Sequence, residues 1–364
     1  MTSTDSTVDL FSPAKMGPLQ LQNRIVMAPM TRNRAPSNVP NALMAEYYAQ
    51  RGSAGMIITE GTSPSPNGLG YPRIPGIFSQ AQVDGWAGVT QAAHAKGAKI
   101  FIQFMHTGRI GHPLNMPTGA RVLAPSAVAA AGEMYTDAEG MKLQPVPIAM
   151  SEADLKSTLQ EFVQAAKNAI AAGFDGVELH GANGYLLEQF IRPNSNIRTD
   201  NYGGSIENRA RFPLEVAAAV CKAIGEDKVG IRLSPFGTFN DMPLYDAMEA
   251  DYTYITAQLN ALNLMYLHIV DHSSVGAPVV PGSMKQTMRR LFKRTLILSG
   301  GYDPARAQAD LNAGNGDLIA VGKAFLANPD LPARWRSKAP LNTPDFTTLY
   351  TPGPTGYTDY PFMS

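Results

Sequence analysis

The stretch ELHGANGYLLEQF, residues 178–190, sets His180, Asn183 and Tyr185 within six positions of one another. A histidine and an asparagine aimed at one oxygen supply two N–H donors, which polarise a carbonyl or nitro group. A tyrosine hydroxyl, with an ordinary pKa of about 10, can hand a proton to a carbon that is gaining electron density. Each residue also has a plain explanation: a satisfied core histidine, a helix cap, a packed aromatic. Together they describe a site that holds an oxygen and protonates a neighbouring carbon, provided the fold brings them to a functional face.

The elements that must position them follow a regular rhythm. Compact apolar runs begin at Arg24 (RIVMAPM), Gly55 (GMIITEG), Lys99 (KIFIQF) and Gly176 (GVELHG). Four more begin at Val229 (VGIRLSP), Met265 (MYLHIVD), Thr295 (TLILSGG) and Asp317 (DLIAVGK). Continuous apolar runs suit parallel strands covered on both faces. Helical patterns fill the intervals. One opens on Ser151 as N-cap and ends near Gly173; another opens on Asp303 with Pro304 at its first turn. Eight strands, each followed by a helix, predict an α/β fold: a single (β/α)8 TIM barrel over residues 1–364, preferred to a doubly wound sheet. Between the third strand and its helix, residues 107–150 are rich in Gly, Pro and Ala. An interval that long predicts an inserted cap over the C-terminal face.

Barrel active sites collect at the C-terminal ends of the strands. There the sequence places Thr31 and Arg32, then Glu60 and Gly61, then Gln103, His180 and Arg232, all expected to face one mouth. The last two strands end in Gly300-Gly301 and Gly322-Lys323. Two glycine turns on neighbouring strands, each leading into a helix, suit a phosphate held by backbone N–H groups, with Lys323 adding a charge.

Composition narrows the class further. Acidic and basic residues balance at 30 each, which recommends neither nucleic acid nor an anionic membrane as partner. No run is apolar for long enough to span a bilayer, and the N-terminus lacks a signal-peptide pattern, so a cytoplasmic protein is expected. The lone Cys221 excludes an internal disulfide, a Cys-ligated zinc and a four-Cys iron–sulfur cluster. No metal is expected. A hydrolase-type metal barrel would have to recruit His268 and Asp271 from a chain with six histidines, and the set is incomplete.

Several separated motifs then resemble one family over nearly the whole chain. They are NRIVMAPMTRNRA, MAEYYAQRGSAGMIITEGT, ELHGANGYLLEQFIRPNSNIRTDNYGGSIENRARF, LANPDLP and GYTDYP. The chain is identified by them as similar to the old yellow enzymes, FMN-dependent ene-reductases. The resemblance implies a non-covalent FMN at the barrel mouth, reduced by NADPH or NADH. It further implies hydride transfer from flavin N5 to activated alkenes of unsaturated carbonyl or nitro compounds. By that resemblance, Thr31 bonds the flavin O4, Gln103 the pyrimidine edge, and Arg232 sits near N1 and O2. The backbone at Pro29, Met30 and Gly61 lines the ring, and Gly300, Gly301, Gly322 and Lys323 hold the phosphate. His180 and Asn183 take the substrate oxygen, Tyr185 protonates the α carbon, and Tyr71, Met105 and Tyr357 wall the pocket. A monomer or a homodimer is expected.

Two departures from the family pattern stand out. Lys323 replaces the usual arginine and cannot make a bidentate fork to phosphate. Met105 replaces a frequent tryptophan, which predicts a roomier pocket. Other FMN barrels, the hydroxy-acid oxidases and dihydroorotate-type dehydrogenases, fit the His-x-x-Asn-x-Tyr arrangement less well. A non-catalytic flavoprotein binding phenolic or steroid-like ligands is the rival outside enzymes.

Overall fold

The computed structural model describes residues 8–363. Eight parallel strands close into a barrel: β1 Ile25–Met27, β2 Met56–Thr62, β3 Lys99–Phe104, β4 Gly176–Gly181, β5 Val229–Leu233, β6 Tyr266–Val270, β7 Thr295–Ser299 and β8 Leu318–Val321. Each strand pairs with its sequence neighbours, and β8 pairs with β1 to close the ring. All eight apolar runs read from the sequence are these strands.

The reason the runs are continuous lies in their two faces. Ile100, Ile102, Val177, Leu179, Ile231 and Leu298 face outward into one large cluster with the surrounding helices. Val26, Ile58, Phe101, Tyr266, Ile297 and Ala320 form a second cluster inside the barrel. Successive residues therefore serve opposite apolar environments, the period-two logic of a strand with both faces covered. The inner cluster is crowded enough to dictate glycine. A Cβ at Gly176 would lie 2.2 Å from the Phe101 ring, and one at Gly230 would lie 2.2 Å from the Tyr266 ring. An N-terminal hairpin, Ala14–Met16 with Leu19–Leu21, adds Ala14, Met16 and Leu21 to that cluster beside the strand starts.

The helices obey their sequence signals. Ser151 caps Glu152–Ala171 in a capping box with Asp154, and Asp303 caps Pro304–Asn312 by accepting from the Arg306 amide. Residues 107–150 hold a short parallel pair, Leu123–Ala124 with Ile148–Ala149, and a hairpin, Glu133–Thr136 with Gly140–Leu143. The pairing of β2 with β3 shifts register between Ile58 and Gly61. This irregularity falls where β2 reaches the mouth, as bulges beside active sites often do. No helix among the described residues is long and apolar enough to cross a membrane.

Candidate active site

Above the apolar inner cluster the barrel interior turns polar. Glu178 and His180 are both inward on β4, and Gln103, Arg232 and His268 come from β3, β5 and β6. All five are buried. Gln103 Nε2 donates to Glu178 Oε1 at 2.8 Å, and His268 Nδ1 donates to Glu178 Oε2 at 2.9 Å. Both carboxylate oxygens are thus occupied from below and the side. With one amide N–H engaged by Glu178, Gln103 keeps its other N–H and its carbonyl oxygen for a ligand. Glu178 also lies close enough to Arg232 to oppose the loss of its charge, although burial pulls the guanidinium pKa down. Three side-chain nitrogens in this layer have no protein partner among the described residues: Arg232 Nε, His180 Nδ1 and the far nitrogen of His268, Nε2. A buried charge and a buried imidazole left unpaired are costly unless something else meets them. Burial, then the nearby Arg232, hold the His180 pKa well below its usual value, so the ring is neutral.

Two cavities open at this end of the barrel. The first, about 480 Å³, is lined by Pro29, Arg232, Asp271, His272, Gly300, Gly301, Gly322 and Lys323. Gly300 and Gly301 have φ of 139° and 64°, values that side chains avoid. A Cβ at Gly300 would sit 2.4 Å from the Asp271 carbonyl oxygen. The backbone here is therefore bare and close to the cavity. Lys323 is exposed, with Nζ 5.1 Å from the centre of the Phe346 ring.

The second cavity, about 660 Å³, is lined by Thr31, Tyr71, Ile110, Met134, Tyr135, Tyr185, Phe239, Asn240, Phe346 and Tyr350 among others. The Tyr71 and Tyr185 hydroxyls lie 3.1 Å apart, and the Tyr185 ring meets His180 edge-on with centroids 4.9 Å apart. Burial raises the Tyr185 pKa; the hydroxyls and amides of Tyr71 and Asn240 pull against that rise. Asn183 stands in the left-handed region at φ 59°, where asparagine is among the tolerated residues. Its backbone N–H donates to Ser234 Oγ at 3.0 Å, and its carbonyl accepts from Asn240 Nδ2 at 2.7 Å. The turn below is fastened by Gly184 N–H to Glu188 at 2.7 Å and by the buried Arg192–Glu188 ion pair at 2.8 Å.

The barrel thus assembles Pro29, Met30, Thr31, Gln103, His180, Asn183, Tyr185, Arg232 and the glycine turns at one mouth, with Tyr71 facing Tyr185. Three sequence expectations need correction. Tyr357 does not wall the cavity: it is fully buried, stacked on Tyr47 at 3.9 Å with the Arg34 guanidinium 4.6 Å from its ring centre. Tyr350, seven residues earlier, lines the cavity instead. Met105 is only 1% exposed and is packed behind the lining with Leu69, Ile110, Met134 and Tyr185. It fills the space beside Gly61, where a Cβ would lie 2.5 Å from its sulfur. Any influence of Met105 on pocket size is therefore indirect. Finally, Arg32 and Glu60 do not open into the mouth. Arg32 donates to the carbonyls of Leu349 and Gly356 at 3.2 and 2.6 Å, so it anchors the C-terminal segment. Glu60 is buried beside Tyr48, with its pKa raised by that burial to about 7.

Tyr350, Phe346, Tyr135, Phe239, Asn240 and His272 escaped sequence reasoning. Tyr135 lies on the short hairpin strand Glu133–Thr136, and the others sit on loops and short turns where no periodicity marks a facing direction. The residues a metal hydrolase would need are otherwise engaged: His268 by Glu178 and Asp271 by Lys285 at 2.6 Å. No group of three or more His, Cys, Asp or Glu side chains is gathered among the described residues.

The family model of the NADH:flavin oxidoreductase / NADH oxidase family matches residues 9–342. The chain belongs to the old yellow enzyme family of flavin oxidoreductases. It is 42% identical to 12-oxophytodienoate reductase 1 of Oryza sativa subsp. japonica, over 98% of this chain and 94% of that one. It is 43% identical to a probable flavin mononucleotide-dependent alkene reductase of Leishmania infantum, over the full length of both. The solved structure of morphinone reductase, 44% identical, superposes with a TM-score of 0.95 over 99% of this chain and 98% of that one. As in any old yellow enzyme, FMN must fit the site, and here the residues suit it. The unpaired Arg232 and His180 and the free Gln103 carbonyl answer a flat, hydrogen-bonding ring system. The bare Gly300-Gly301 turn and Lys323 answer a phosphate.

Proposed function

We propose that this chain is an FMN-dependent NAD(P)H ene-reductase acting on activated C=C bonds of unsaturated carbonyl or nitro compounds. One observation carries the reading. A neutral, unpaired histidine and an acid-competent tyrosine meet edge to face, 4.9 Å apart, between an apolar cavity and a buried arginine. Relatives named as alkene, 12-oxophytodienoate and morphinone reductases support it.

Bound FMN would supply the redox chemistry, accepting hydride from a nicotinamide and returning it to the alkene β carbon. The chain's residues do the rest. The backbone of Pro29, Met30 and Gly61 would line the ring, with Thr31 bonding its edge. Gln103 accepts from the pyrimidine side, and the fixed charge of Arg232 favours an electron-rich ring. Gly300, Gly301, Gly322 and Lys323 hold the phosphate. His180 and Asn183 donate to the substrate oxygen and draw electron density from the β carbon. Tyr185 protonates the α carbon; the Tyr71 hydroxyl, 3.1 Å away, donates to the oxygen left behind. The insertion at 107–150 contributes Ile110, Met134 and Tyr135 to the cavity wall, which supports its role as a cap. Either nicotinamide serves as donor by transient docking.

The test is anaerobic. The holoenzyme is reduced with NADPH, 2-cyclohexenone is added, and the visible flavin band is followed. Bleaching followed by recovery is expected. Bleaching without recovery would remove the enone from the substrate class, and a protein that binds no FMN would overturn the proposal.

A further inference from the structure

Asn183 presents a problem that its backbone contacts do not solve. An amide has a donor end and an acceptor end, and only the donor end stabilises a substrate oxygen. The main chain at Asn183 is pinned by Ser234 and Asn240, but rotation of the side chain would bring the carbonyl round and set oxygen against oxygen. Something must decide which end faces the substrate.

His272 is in place to do this. Its Nε2 lies 2.6 Å from Asn183 Oδ1. We infer that His272 is a positioning residue: by donating Nε2–H to Asn183 Oδ1 it turns the amide NH2 toward the substrate oxygen. The inference rests on the ene-reductase reading and deepens it. The imidazole is neutral, because burial and then the nearby Arg232 lower its pKa to about 4. A neutral ring has one N–H, and the short contact to a carbonyl oxygen assigns it to Nε2.

The loop that carries His272 is built to hold it still. Asp271 Oδ1 caps the turn by accepting from Ser273 N–H at 3.0 Å, and Asp271 Oδ2 accepts from Lys285 Nζ at 2.6 Å. Asp271 N–H donates to the Ser299 carbonyl at 2.9 Å, tying the turn to β7. Phe239 covers the imidazole with ring centroids 5.6 Å apart. His272 lines the phosphate-side cavity, and its contribution to the reaction passes through Asn183.

The probe is 4-hydroxybenzaldehyde, titrated into FMN-loaded protein and followed by the long-wavelength band that a phenolate gives over oxidised flavin. His272→Leu is expected to weaken binding about tenfold, the scale of one oriented hydrogen bond. His272→Gln, which can still offer an N–H, should recover to within about threefold of wild type. In an Asn183→Leu background His272→Leu should cost nothing more, since the group it orients is gone. If His272→Leu does not fold, His272→Asn, too short to reach, replaces it. Wild-type binding in the short or apolar variant, or losses that simply add in the double variant, would overturn the assignment. A wild-type protein that binds FMN but gives no phenol band would also overturn it. One that binds no FMN would overturn the functional reading beneath it.

Discussion

The two cavities at the barrel mouth are made from different material. The phosphate-side cavity is built mainly from strand ends and the turns after them: Gly300, Gly301 and Gly322 follow β7 and β8 directly, Pro29 follows β1, and Leu341, Asn342 and Pro344 close it from the C-terminal side. The alkene-side cavity is side chain: Tyr71, Phe239, Phe346 and Tyr350 arrive from loops and short turns, and Met134 and Tyr135 from the hairpin of the insertion. The first is fixed by the barrel itself and suits a ligand that never changes. The second can be resculpted without touching a barrel strand, which suits a substrate that differs between relatives. Substitutions on one side should therefore alter cofactor retention, and on the other turnover or selectivity.

The largest effect tests that separation from the alkene side. Tyr185→Phe removes the proposed general acid and should slow re-oxidation by an enone by about 10²- to 10⁴-fold. Reduction of the flavin by NADPH should stay nearly unchanged. Stopped-flow measurement of both half-reactions decides it; equal losses in the two would erase the distinction between the cavities. From the other side, Gly300→Ala forces a Cβ to within 2.4 Å of the Asp271 carbonyl at a φ of 139°. About 2 kcal/mol of strain, roughly thirtyfold in FMN affinity, is expected. Fluorescence titration of the apoprotein measures it, and the refilled enzyme should keep its substrate preference.

How far the sequence announced this arrangement follows the same divide. The strands were readable because a residue between two apolar layers leaves an unbroken apolar run, and strand ends carry His180, Arg232 and the glycine pairs with them. The C-terminal wall was not. Tyr350 and Tyr357 stand in one Pro- and Gly-rich segment with no period to separate lining from core. The fate of Tyr357 is set by distant partners, chiefly Tyr47 and the guanidinium groups of Arg32 and Arg34. Met105 misled for a related reason. Its burial depends on the missing side chain of Gly61, on the neighbouring strand and far off in sequence.

The smallest expected effect sharpens the phosphate side. Lys323→Arg supplies a planar fork in place of a point charge and should tighten FMN about threefold. Equilibrium titration checks it; unchanged or weaker affinity would mean that the bare glycine backbone already satisfies the phosphate.

The C-terminal segment is hung from two arginines only a step beyond the end of β1, the stretch proposed to line the flavin. Arg32 holds the carbonyls of Leu349 and Gly356, and Arg34 holds those of Thr348, Leu349, Gly353 and Thr355. The segment is therefore a poor module for transplantation. A tail grafted from a relative to change substrate range would need matching carbonyl geometry at all of these bonds. Without it, the graft would tug on the Pro29–Thr31 stretch and loosen the flavin seat as well as the wall. Selectivity engineered by tail exchange should thus come bundled with altered cofactor occupancy, whereas selectivity engineered at Tyr135 or Phe239 should not.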